Sequence, residues 1–556
     1  MDRGRHSSTL IRPFRECLGE LGVQLRPIRW SIVLRVLLGV VEVGASLCVV
    51  WLSKQLVDTV SSPAGDPVFP VVMALAGVML VQILCSVSSR YLEGRSAVIA
   101  SNSTRTRLFG NVMESAWKGS DRMHSGDSVS RIQEDVRVCS DFVSSTFPSS
   151  AVTIVQLIGA AAFLLVLQPD MAWILLLVTP VAVVASRLFF RRMRSLSIEI
   201  RETEAGVQQL VQENIQHRVL VKMLGNNSEV LEKLGILQRD VLDKTVLRLN
   251  YSTVSRLLMH LGFTGGYLFV FVWGALGIRS GAVTYGMLVA FLQLVGQVQR
   301  PVAELARQIP SFIRSLSSAD RLLDLEVLQR EDRSDPVLIP GAPGIRVEDV
   351  SFSYPGAETP VLQSFSCQFL PGTMTVVLGP TGVGKSTLIR LVMALFQPDS
   401  GSVTLFDPMS GKQYPSSPRT RCNFMYVPQG NSLMSGTIRE NLLSANPEAS
   451  DEELRAALFD AAGEFVFDLP QALDTPCFEA GGGLSEGQAQ RIAVARSLLR
   501  PGGILVLDEA SSSLDAQTEQ TMLSRIFESR RGKKTIICIT HREAACAYAD
   551  DTLYIS

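Results

Sequence analysis

The first half of this 556-residue chain contains six long apolar runs that carry few charges. They lie at residues 32–51, 68–85, 152–167, 171–189, 257–278 and 287–298. Several approach the roughly 20 residues that an α-helix needs to cross a bilayer, and they follow one another as three hairpins. The sixth run is the weakest, since Gln293 and Gln297 interrupt it. The pattern predicts a helical membrane domain with six spans, because so many long charge-poor runs are not typical of a soluble protein.

The basic residues indicate how these spans are oriented. Arginines at 12, 15, 26 and 29 precede the first run, and the long loops at 90–147 and 191–256 are rich in Arg and Lys. The short connections on the other side carry little beyond Lys54 and Arg279. Because basic loops stay in the cytoplasm, the N-terminus, both long loops and the second half are predicted to be cytoplasmic. Both long loops have the pattern of amphipathic helix.

The composition indicates a membrane protein and argues against nucleic acid as a partner. A hydrophobic fraction of 47% and a charged fraction of 19% fit a membrane protein. The net charge of -1 gives no reason to expect nucleic acid as a partner. The nine cysteines form no Cys-x-x-Cys pair, so neither a metal site built from cysteines nor a disulfide framework is expected.

A glycine-rich loop follows a buried strand in the second half. The strand ends at Leu378, and GPTGVGKST then fits the pattern G-x-x-x-x-G-K-[ST]. Backbone N–H groups of Gly382 and Gly384 can hold phosphate oxygens, Lys385 can reach the β- and γ-phosphates, and Ser386 can ligate Mg²⁺. The predicted nucleotide-binding residues of this loop are Gly379, Pro380, Thr381, Gly382, Val383, Gly384, Lys385, Ser386 and Thr387.

An acidic pair ends a second buried strand. The apolar residues 504–507 lead into Asp508 and Glu509, at the strand end where open α/β sheets bind their ligands. Asp508 can hold Mg²⁺ through its water shell, and Glu509 can orient or deprotonate an attacking water. Beside a phosphate loop, this pair indicates nucleotide hydrolysis rather than a simple helix cap.

With these motifs the sequence resembles the ABC transporter family over nearly its whole length. Tyr354 in SFSYPG matches the aromatic residue that stacks on adenine, and Gln429 in YVPQ matches the glutamine that links Mg²⁺ to the membrane domain. LSEGQ at 484–488 matches the family's Leu-Ser-Gly-Gly-Gln, residues 512–515 match the D-loop, and His541 in ITHR matches the switch histidine at the γ-phosphate. The catalytic residues that the resemblance implies are Glu509, His541 and Lys385.

The first half looks like the membrane domain of exporter-type members. HSGDSVSRIQEDV and VQENIQHRVLVKMLG resemble the two cytoplasmic coupling loops, and DTPCFEAGGG resembles the X-loop, with Glu479 as its acid and Phe478 where the family usually has Gly. The predicted layout is a cytoplasmic segment at 1–28, a six-helix transmembrane domain with two long cytoplasmic loops at 29–325, a linker at 326–344 and an α/β P-loop nucleotide-binding domain at 345–556.

The resemblance implies a half-transporter that works as a dimer. Each ATP would lie between the phosphate loop of one chain and the LSEGQ of the other, where Ser485, Gly487 and Gln488 contact it. ATP binding would close the nucleotide domains and open the membrane cavity outwards, and hydrolysis would reset them. Ser386, Gln429 and Asp508 are the implied Mg²⁺ residues. The partner is a second copy or a homologous half-transporter, the surrounding lipid is a second contact, and the expected location is a cell membrane, the bacterial inner membrane.

Polar side chains within the apolar runs suggest a pathway for an amphipathic substrate. Polar residues recur on one face of the first, fifth and sixth predicted helices, and ionisable groups inside a membrane usually face the bundle interior or water. Glu42 either contacts a cationic or polar group of the substrate or pairs with a neighbouring helix. The candidate substrate residues are Glu42, Ser46, His260, Tyr267, Gln293 and Gln297.

Several functions remain open from the sequence. Export or flipping of a drug-like compound, a lipid or a small peptide is the leading hypothesis. The alternatives are ATP-driven import of a metal chelate and an ATP-gated regulatory membrane protein. A soluble ABC ATPase acting on DNA or ribosomes would have the same nucleotide motifs but no need for six spans.

The LSEGQ stretch also predicts local structure. Ser485 and Gln488 have the spacing of a capping box that begins a helix, and the N-terminus of a helix attracts anions. Glu486 stands where the family usually has Gly. Its carboxylate suits the helix dipole but would repel a phosphate that it faced. We therefore expect its side chain to point away from the nucleotide.

Overall fold

The computed structural model describes residues 12–62, 67–116, 125–169, 189–354, 357, 359–478 and 482–555. Within them the chain divides into two compact units. The first is helical and holds the described residues up to Gly110 and those from Ser125 to Val327. The second holds the end of the third helix, from Asn111, together with the α/β part from Leu328 onwards.

The first unit is built of long helices. In chain order they are α1 (Phe14–Leu25), α2 (Arg29–Ser61), α3 (Phe69–Glu114), α4 (Ser125–Ser130), α5 (Val136–Asp141), α6 (Phe147–Leu167), α7 (Phe190–Gln216), α8 (Arg218–Leu224), α9 (Asn227–Arg279) and α10 (Tyr285–Glu326). Two π-helical turns, Arg131–Asp135 and Phe142–Thr146, join α4, α5 and α6. Both long loops are therefore largely helical in their described parts, as predicted, and α10 ends at Glu326.

Four described helical segments are long and apolar enough to cross a membrane: Phe14–Ser61, Phe69–Glu114, Asp127–Leu167 and Asn227–Arg279. They contain the first, second, third and fifth apolar runs. The fourth run lies outside the described residues except for Phe189. The sixth run lies on α10, which is not among the four. Six spans therefore remain a prediction.

Helices α2, α6 and α10 pack around a shared apolar core. Val50, Leu164 and Phe291 meet there and are almost completely buried. The first turn of α10 is hydrogen-bonded to α2, since the backbone N–H of Gly286 donates to Asp58 Oδ1 at 2.9 Å. An added Cβ at Gly286 would collide with the carbonyl oxygen of Lys54. Only glycine lets the two helices approach this closely.

Buried charge fixes the other end of α10. Asp135, in the first π-helical turn, accepts hydrogen bonds from Arg321 Nε and from Ser318 Oγ, both at 2.8 Å. The Asp135 side chain is 8% exposed and that of Arg321 is 51% exposed, and a hydrogen bond to a charged group contributes about 1.5–3 kcal/mol. The first cytoplasmic loop and α10 are therefore firmly joined within this unit.

The second unit contains two main sheets. Its elements are β1 (Gly344–Phe352), β2 (Leu362–Phe369), β3 (Met374–Leu378), α11 (Lys385–Val392), β4 (Ser400–Phe406), β5 (Gln413–Pro415), β6 (Phe424–Val427), β7 (Gly436–Thr437), α12 (Ile438–Leu443), α13 (Asp451–Asp460), β8 (Pro476–Cys477), α14 (Glu486–Leu499), β9 (Ile504–Asp508), α15 (Ala516–Arg530), β10 (Thr535–Ile539) and β11 (Asp551–Tyr554). An antiparallel sheet has the order β2-β1-β4-β5, and a parallel sheet has the order β11-β3-β10-β9-β6.

The parallel sheet forms the centre of this unit. Strands β9 and β10 are buried along their whole length, and their sequences ILVLD and TIICI are almost continuously apolar. This is the expected pattern for parallel strands that are covered on both faces. The sheet therefore gives a rigid edge for the loops that follow its strands.

Candidate active site

Four adjacent strands of the parallel sheet end at the same edge. The glycine-rich loop follows β3, His541 follows β10, Asp508 ends β9, and Gln429 follows β6. Ligands bind outside the carboxyl ends of strands in open α/β sheets. The sheet order therefore brings together four motifs that are up to 162 positions apart in the sequence, from Gly379 to His541.

The glycine-rich loop has backbone angles that favour glycine. Gly379, Gly382 and Gly384 have φ values of 152°, 87° and 105°, and a Cβ at Gly379 would collide with the carbonyl oxygen of Ile555. Helix α11 begins directly after the loop, at Lys385. The Lys385 ammonium donates to the carbonyl oxygens of Gly379, at 2.7 Å, and of Pro380, at 2.9 Å. The loop thus wraps around the Lys385 ammonium, which is held by the loop's own carbonyl oxygens.

Tyr354 lies against the beginning of α11. Its hydroxyl is 3.0 Å from Thr387 Oγ1 and accepts from Arg390 at 3.4 Å. Its ring contacts Phe352 and Phe396 edge-on, with centroid separations of 5.3 and 5.7 Å. The aromatic side chain that the motif singled out is therefore next to the phosphate loop.

Asp508 is buried at the centre of the sheet edge. Its Oδ1 lies 3.4 Å from Ser386 Oγ, and its Oδ2 accepts from the Tyr426 hydroxyl at 3.3 Å. Burial raises the pKa of Asp508, the Tyr426 hydrogen bond opposes this rise, and the neighbouring charge of Glu509 adds to it. Burial likewise raises the pKa of Tyr426, so its phenol remains a hydrogen-bond donor at neutral pH.

Glu509 is held between two other motif residues. Its Oε2 accepts from Gln429 Nε2 at 2.5 Å, and its Oε1 is 2.7 Å from His541 Nε2. The residue has a φ of 51°, in the left-handed region that non-glycine residues seldom occupy. Strain of this kind costs about 1–3 kcal/mol and clusters at functional sites. Gln429, Glu509 and His541 therefore form one connected group.

The LSEGQ motif begins α14 as predicted. Ser485 Oγ accepts from the Gln488 N–H at 3.2 Å, and Gln488 Oε1 accepts from the Ser485 N–H at 2.9 Å, which confirms the capping box. Ser485 and Glu486 are exposed. A Cβ at Gly487 would lie 2.9 Å from the carbonyl oxygen of Ser513, so the motif lies directly against the 512–515 loop. Glu479 lies outside the described residues.

The candidate substrate residues lie on three membrane helices. Glu42 and Ser46 are half-buried on α2, and His260 and Tyr267 are exposed on α9. Glu42 accepts a hydrogen bond from Ser86 and lies near Arg90, both on α3.

The two glutamines of the sixth run lie on α10. Gln293 and Gln297 are half-buried, and Gln297 Oε1 is buried without a hydrogen-bond partner in the described part of the chain. The two glutamines therefore lie on α10 with one buried amide oxygen that has no partner among the described residues, whereas the Glu42 carboxylate has polar neighbours on α3.

Three contacts at these sites involve residues that the motifs did not single out. Tyr426 bonds Asp508 and precedes Gln429 by three residues, which is the only sequence signal it carries. Gln299 donates to the carbonyl oxygen of Phe263 at 3.2 Å and joins α10 to α9. Arg542 directly follows the switch histidine and bonds the 512–515 loop.

Two family profiles match the chain. The profile described as ABC transporter transmembrane region matches residues 32–302, and the profile described as ABC transporter matches residues 362–512. The two matches occur in the order that the sequence motifs predict, one in each unit.

Named relatives and a solved structure are also ABC transporters. A fatty acid ABC transporter ATP-binding/permease protein of Mycobacterium bovis is 29% identical over 78% of this chain and 69% of its own length. An ATP-dependent lipid A-core flippase of Vibrio vulnificus is 27% identical over 91% of this chain and 87% of its own length. A bacterial Atm1-family ABC exporter with ATP bound has the same fold, with a TM-score of 0.80, 23% identity and coverage of 96% of this chain and 94% of its own. The chain belongs to the ABC transporter family and has the half-transporter architecture of its exporter-type members, so it is a multi-pass membrane protein that couples ATP hydrolysis to transport.

Proposed function

We propose that this protein exports or flips an amphipathic substrate by alternating access, as a dimer, with ATP hydrolysed by Glu509 and His541. The observation that carries the proposal is the position of the Glu509 carboxylate, which is bonded to both Gln429 and His541 beside the phosphate loop. A carboxylate held on two sides is oriented to accept a proton from a water that attacks the γ-phosphate. His541 would then contact that phosphate.

The donor set supports Mg²⁺ as the metal. Ser386 offers a hydroxyl oxygen, Gln429 an amide oxygen and Asp508 a carboxylate, and Mg²⁺ prefers oxygen ligands. Bound there, the ion would neutralise charge on the β- and γ-phosphates. Lys385 and the N–H groups of the loop from Gly379 to Thr387 would hold the same phosphates, while the Tyr354 ring would stack on adenine.

The dimer is supported by exposed groups in both units. Helix α8 lies in the second cytoplasmic loop and presents four exposed apolar side chains: Val219, Leu220, Met223 and Leu224. Such a patch in water usually marks an interaction site. Ser485 and Gly487 at the beginning of α14 would contact the ATP of the partner chain. A homodimer is the simpler assembly, and a homologous half-transporter is the alternative partner.

The substrate class proposed first is an amphipathic lipid. Two relatives are named for a fatty acid and for lipid A-core, and both compounds combine an apolar body with a polar head. Drug-like compounds and small peptides share this chemistry and remain candidates. Gln293 and Gln297 on α10 would contact the polar head, and the nucleotide domain would lie on the cytoplasmic side of a bacterial inner membrane.

The substitution Glu509→Gln tests the catalytic assignment. It should leave ATP affinity within about twofold and abolish phosphate release, because an amide of the same shape accepts no proton. Both quantities are measured on the reconstituted full chain, with Glu528→Gln, an exposed acid on α15, as the matched control. Phosphate release at the wild-type rate by Glu509→Gln would refute the assignment.

Transport itself needs a second assay. Inverted membrane vesicles that contain the wild-type chain should accumulate a fluorescent lipid only when ATP is supplied. Vesicles with Glu509→Gln should not accumulate it. ATP-independent leakage of the same size in both would favour a gated regulatory protein instead, and ATP-driven depletion would indicate import.

A further inference from the structure

The Arg542 side chain joins two loops of the nucleotide unit. Its Nη1 donates to the carbonyl oxygen of Leu514 at 2.9 Å, and its Nη2 donates to the carbonyl oxygen of Ser512 at 3.0 Å. Arg542 directly follows His541 in the loop after β10, whereas Ser512 and Leu514 belong to the loop between β9 and α15. One guanidinium therefore holds the histidine loop against the 512–515 loop.

A buried carboxylate holds the guanidinium in place. Glu519 Oε2 accepts from Arg542 Nη1 at 2.7 Å, and Glu519 Oε1 accepts from Ser511 Oγ at 2.5 Å. Only 3% of the Glu519 side chain is exposed. Acids are seldom buried to this extent unless they are paired, and a charge-assisted hydrogen bond is roughly twice as strong as a neutral one. Glu519 thus fixes Arg542 from the first turn of α15.

The same loop has a third contact, from the signature helix. Gln490 on α14 donates to Ser512 Oγ at 3.0 Å, and its amide oxygen accepts from the Ser513 N–H at 3.2 Å. Gln490 is buried. The 512–515 loop is thereby bonded to α14 on one side and to the histidine loop on the other. A displacement of the 512–515 loop would therefore strain its bonds to both neighbouring elements.

We propose that Arg542 and Glu519 are positioning residues for ATP hydrolysis. They clamp the histidine loop to the 512–515 loop, and the clamp fixes the distance between His541 and the carboxylate of Glu509. Neither residue is among those proposed above to contact the nucleotide. The inference rests on the catalytic roles proposed above for Glu509 and His541.

The clamp depends on the fork of the guanidinium. Arg542 reaches three acceptors on two different elements, and a planar group with two amino arms can do so without moving. Lysine keeps the positive charge but has a single ammonium on a flexible stem. It can pair with Glu519 or bond the loop carbonyls, but it cannot hold both in this geometry. Arg542→Lys therefore preserves charge and removes the clamp.

The expected result is a separation of kcat from KM. Misplacement of a catalytic group by about 1 Å can cost roughly 100-fold in rate, so Arg542→Lys should lower kcat for ATP at least tenfold. The KM for ATP should stay within twofold, because the phosphate loop is intact. ATP affinity measured in the Glu509→Gln background should be unchanged as well. Glu519→Gln, which has nearly the same shape, should lower kcat in the same direction.

Arg525→Lys is the matched control. Arg525 lies on α15, where its Nη1 donates to the carbonyl oxygen of Phe459 at 2.7 Å and to Glu464 at 2.5 Å, and within the described residues its hydrogen bonds reach neither loop. It should lower the Tm by as much as Arg542→Lys while kcat stays within twofold of wild type. The kcat of the double variant Arg542→Lys/Glu519→Gln should be at most about twofold lower than that of the worse single variant, because the effects of residues that act as one unit are not additive.

Three outcomes would overturn the inference: a kcat of Arg542→Lys within twofold of wild type, a KM that changes in place of kcat, or multiplicative losses in the double variant. If Arg542→Lys does not fold, Glu519→Gln carries the same test with the same limits. Hydrolysis that persists in Glu509→Gln would contradict the proposed catalytic roles instead. The two failures are therefore distinguished by separate variants.

Discussion

Gly487→Ala probes the contact between LSEGQ and the 512–515 loop with a single added carbon. The new Cβ would lie 2.9 Å from the carbonyl oxygen of Ser513 and 3.2 Å from Leu514 Cδ2. Ordinary contact begins at 3.4 Å, so the loop or the helix must move by about 0.5 Å. The Ser513 oxygen is a backbone atom, and it cannot rotate away as a flexible side chain could.

The magnitude follows from two opposing effects. Alanine favours a helix over glycine by about 1 kcal/mol, and overpacking of this kind costs about 1–3 kcal/mol. The net loss of stability is therefore only about 1 kcal/mol. Activity should suffer more, because the displaced loop is the one that Arg542 and Gln490 hold. If a shift of 1 Å costs about 100-fold in rate, a shift of half that size should cost about tenfold in kcat.

The assay combines thermal unfolding with steady-state ATP hydrolysis on the reconstituted chain. Gly235→Ala is the matched control, because Gly235 lies in helix α9 with no atom within 4 Å of an added Cβ. It should leave kcat unchanged and raise the Tm slightly. Gly487→Ala should lower both the Tm and kcat, with ATP affinity at the phosphate loop unchanged. An increase of the Tm together with wild-type kcat would refute the close contact.

Three further predictions test other parts of the chain. Burial alone would raise the pKa of Glu331, but hydrogen bonds from Arg421 outweigh it and hold that pKa below its usual 4.5. The resulting stabilisation is complete above pH 4.5 and is lost as the pH falls through the folded value. Glu331→Gln should therefore flatten the decline of the Tm between roughly pH 5 and 3, and an unchanged decline would contradict this. Glu42→Gln should alter lipid-stimulated ATPase activity if the carboxylate serves the substrate, and an identical response to wild type would assign it a structural role. Glu486→Gly should change ATP affinity less than tenfold in equilibrium binding.

Four of the nucleotide motifs were readable from the sequence because each ends or follows an apolar strand. A parallel sheet aligns the carboxyl ends of its strands, so residues 379–387, Gln429, Asp508 and His541 had to meet at one edge once the strands were recognised. The clamp was not readable in the same way. Glu519 and Arg542 are 23 positions apart, and neither matches a motif whose role was inferred. Their pairing depends on how α15 packs beside β10, which local pattern does not encode.

In the membrane half, the sequence predicted the helices but not the contacts between them. Periodicity identified the helices and their polar faces, since side chains seven positions apart share a face. It could not identify the neighbour that each face meets. Arg35 shares a face with Glu42, yet its guanidinium donates to Glu93 on α3 at 2.7 Å and is buried. Long side chains can pair across helices whose backbones are far apart, so a polar stripe predicts a buried polar contact before it predicts a pathway.

The N-terminus of α14 shows why an acidic residue in LSEGQ is compatible with an anion site. Ser485 Oγ accepts the Gln488 N–H, and a hydroxyl has one proton to donate besides its acceptor sites. The cap and a phosphate oxygen can therefore use Ser485 at the same time. Glu486 is exposed in the first turn, where a carboxylate gains about 0.3–1 kcal/mol from the helix dipole. Glycine at this position would remove that stabilisation of the helix, and it would raise ATP affinity only if the carboxylate had faced the phosphate. A tenfold rise in affinity for Glu486→Gly, about 1.4 kcal/mol, would mean that the carboxylate faces the phosphate after all.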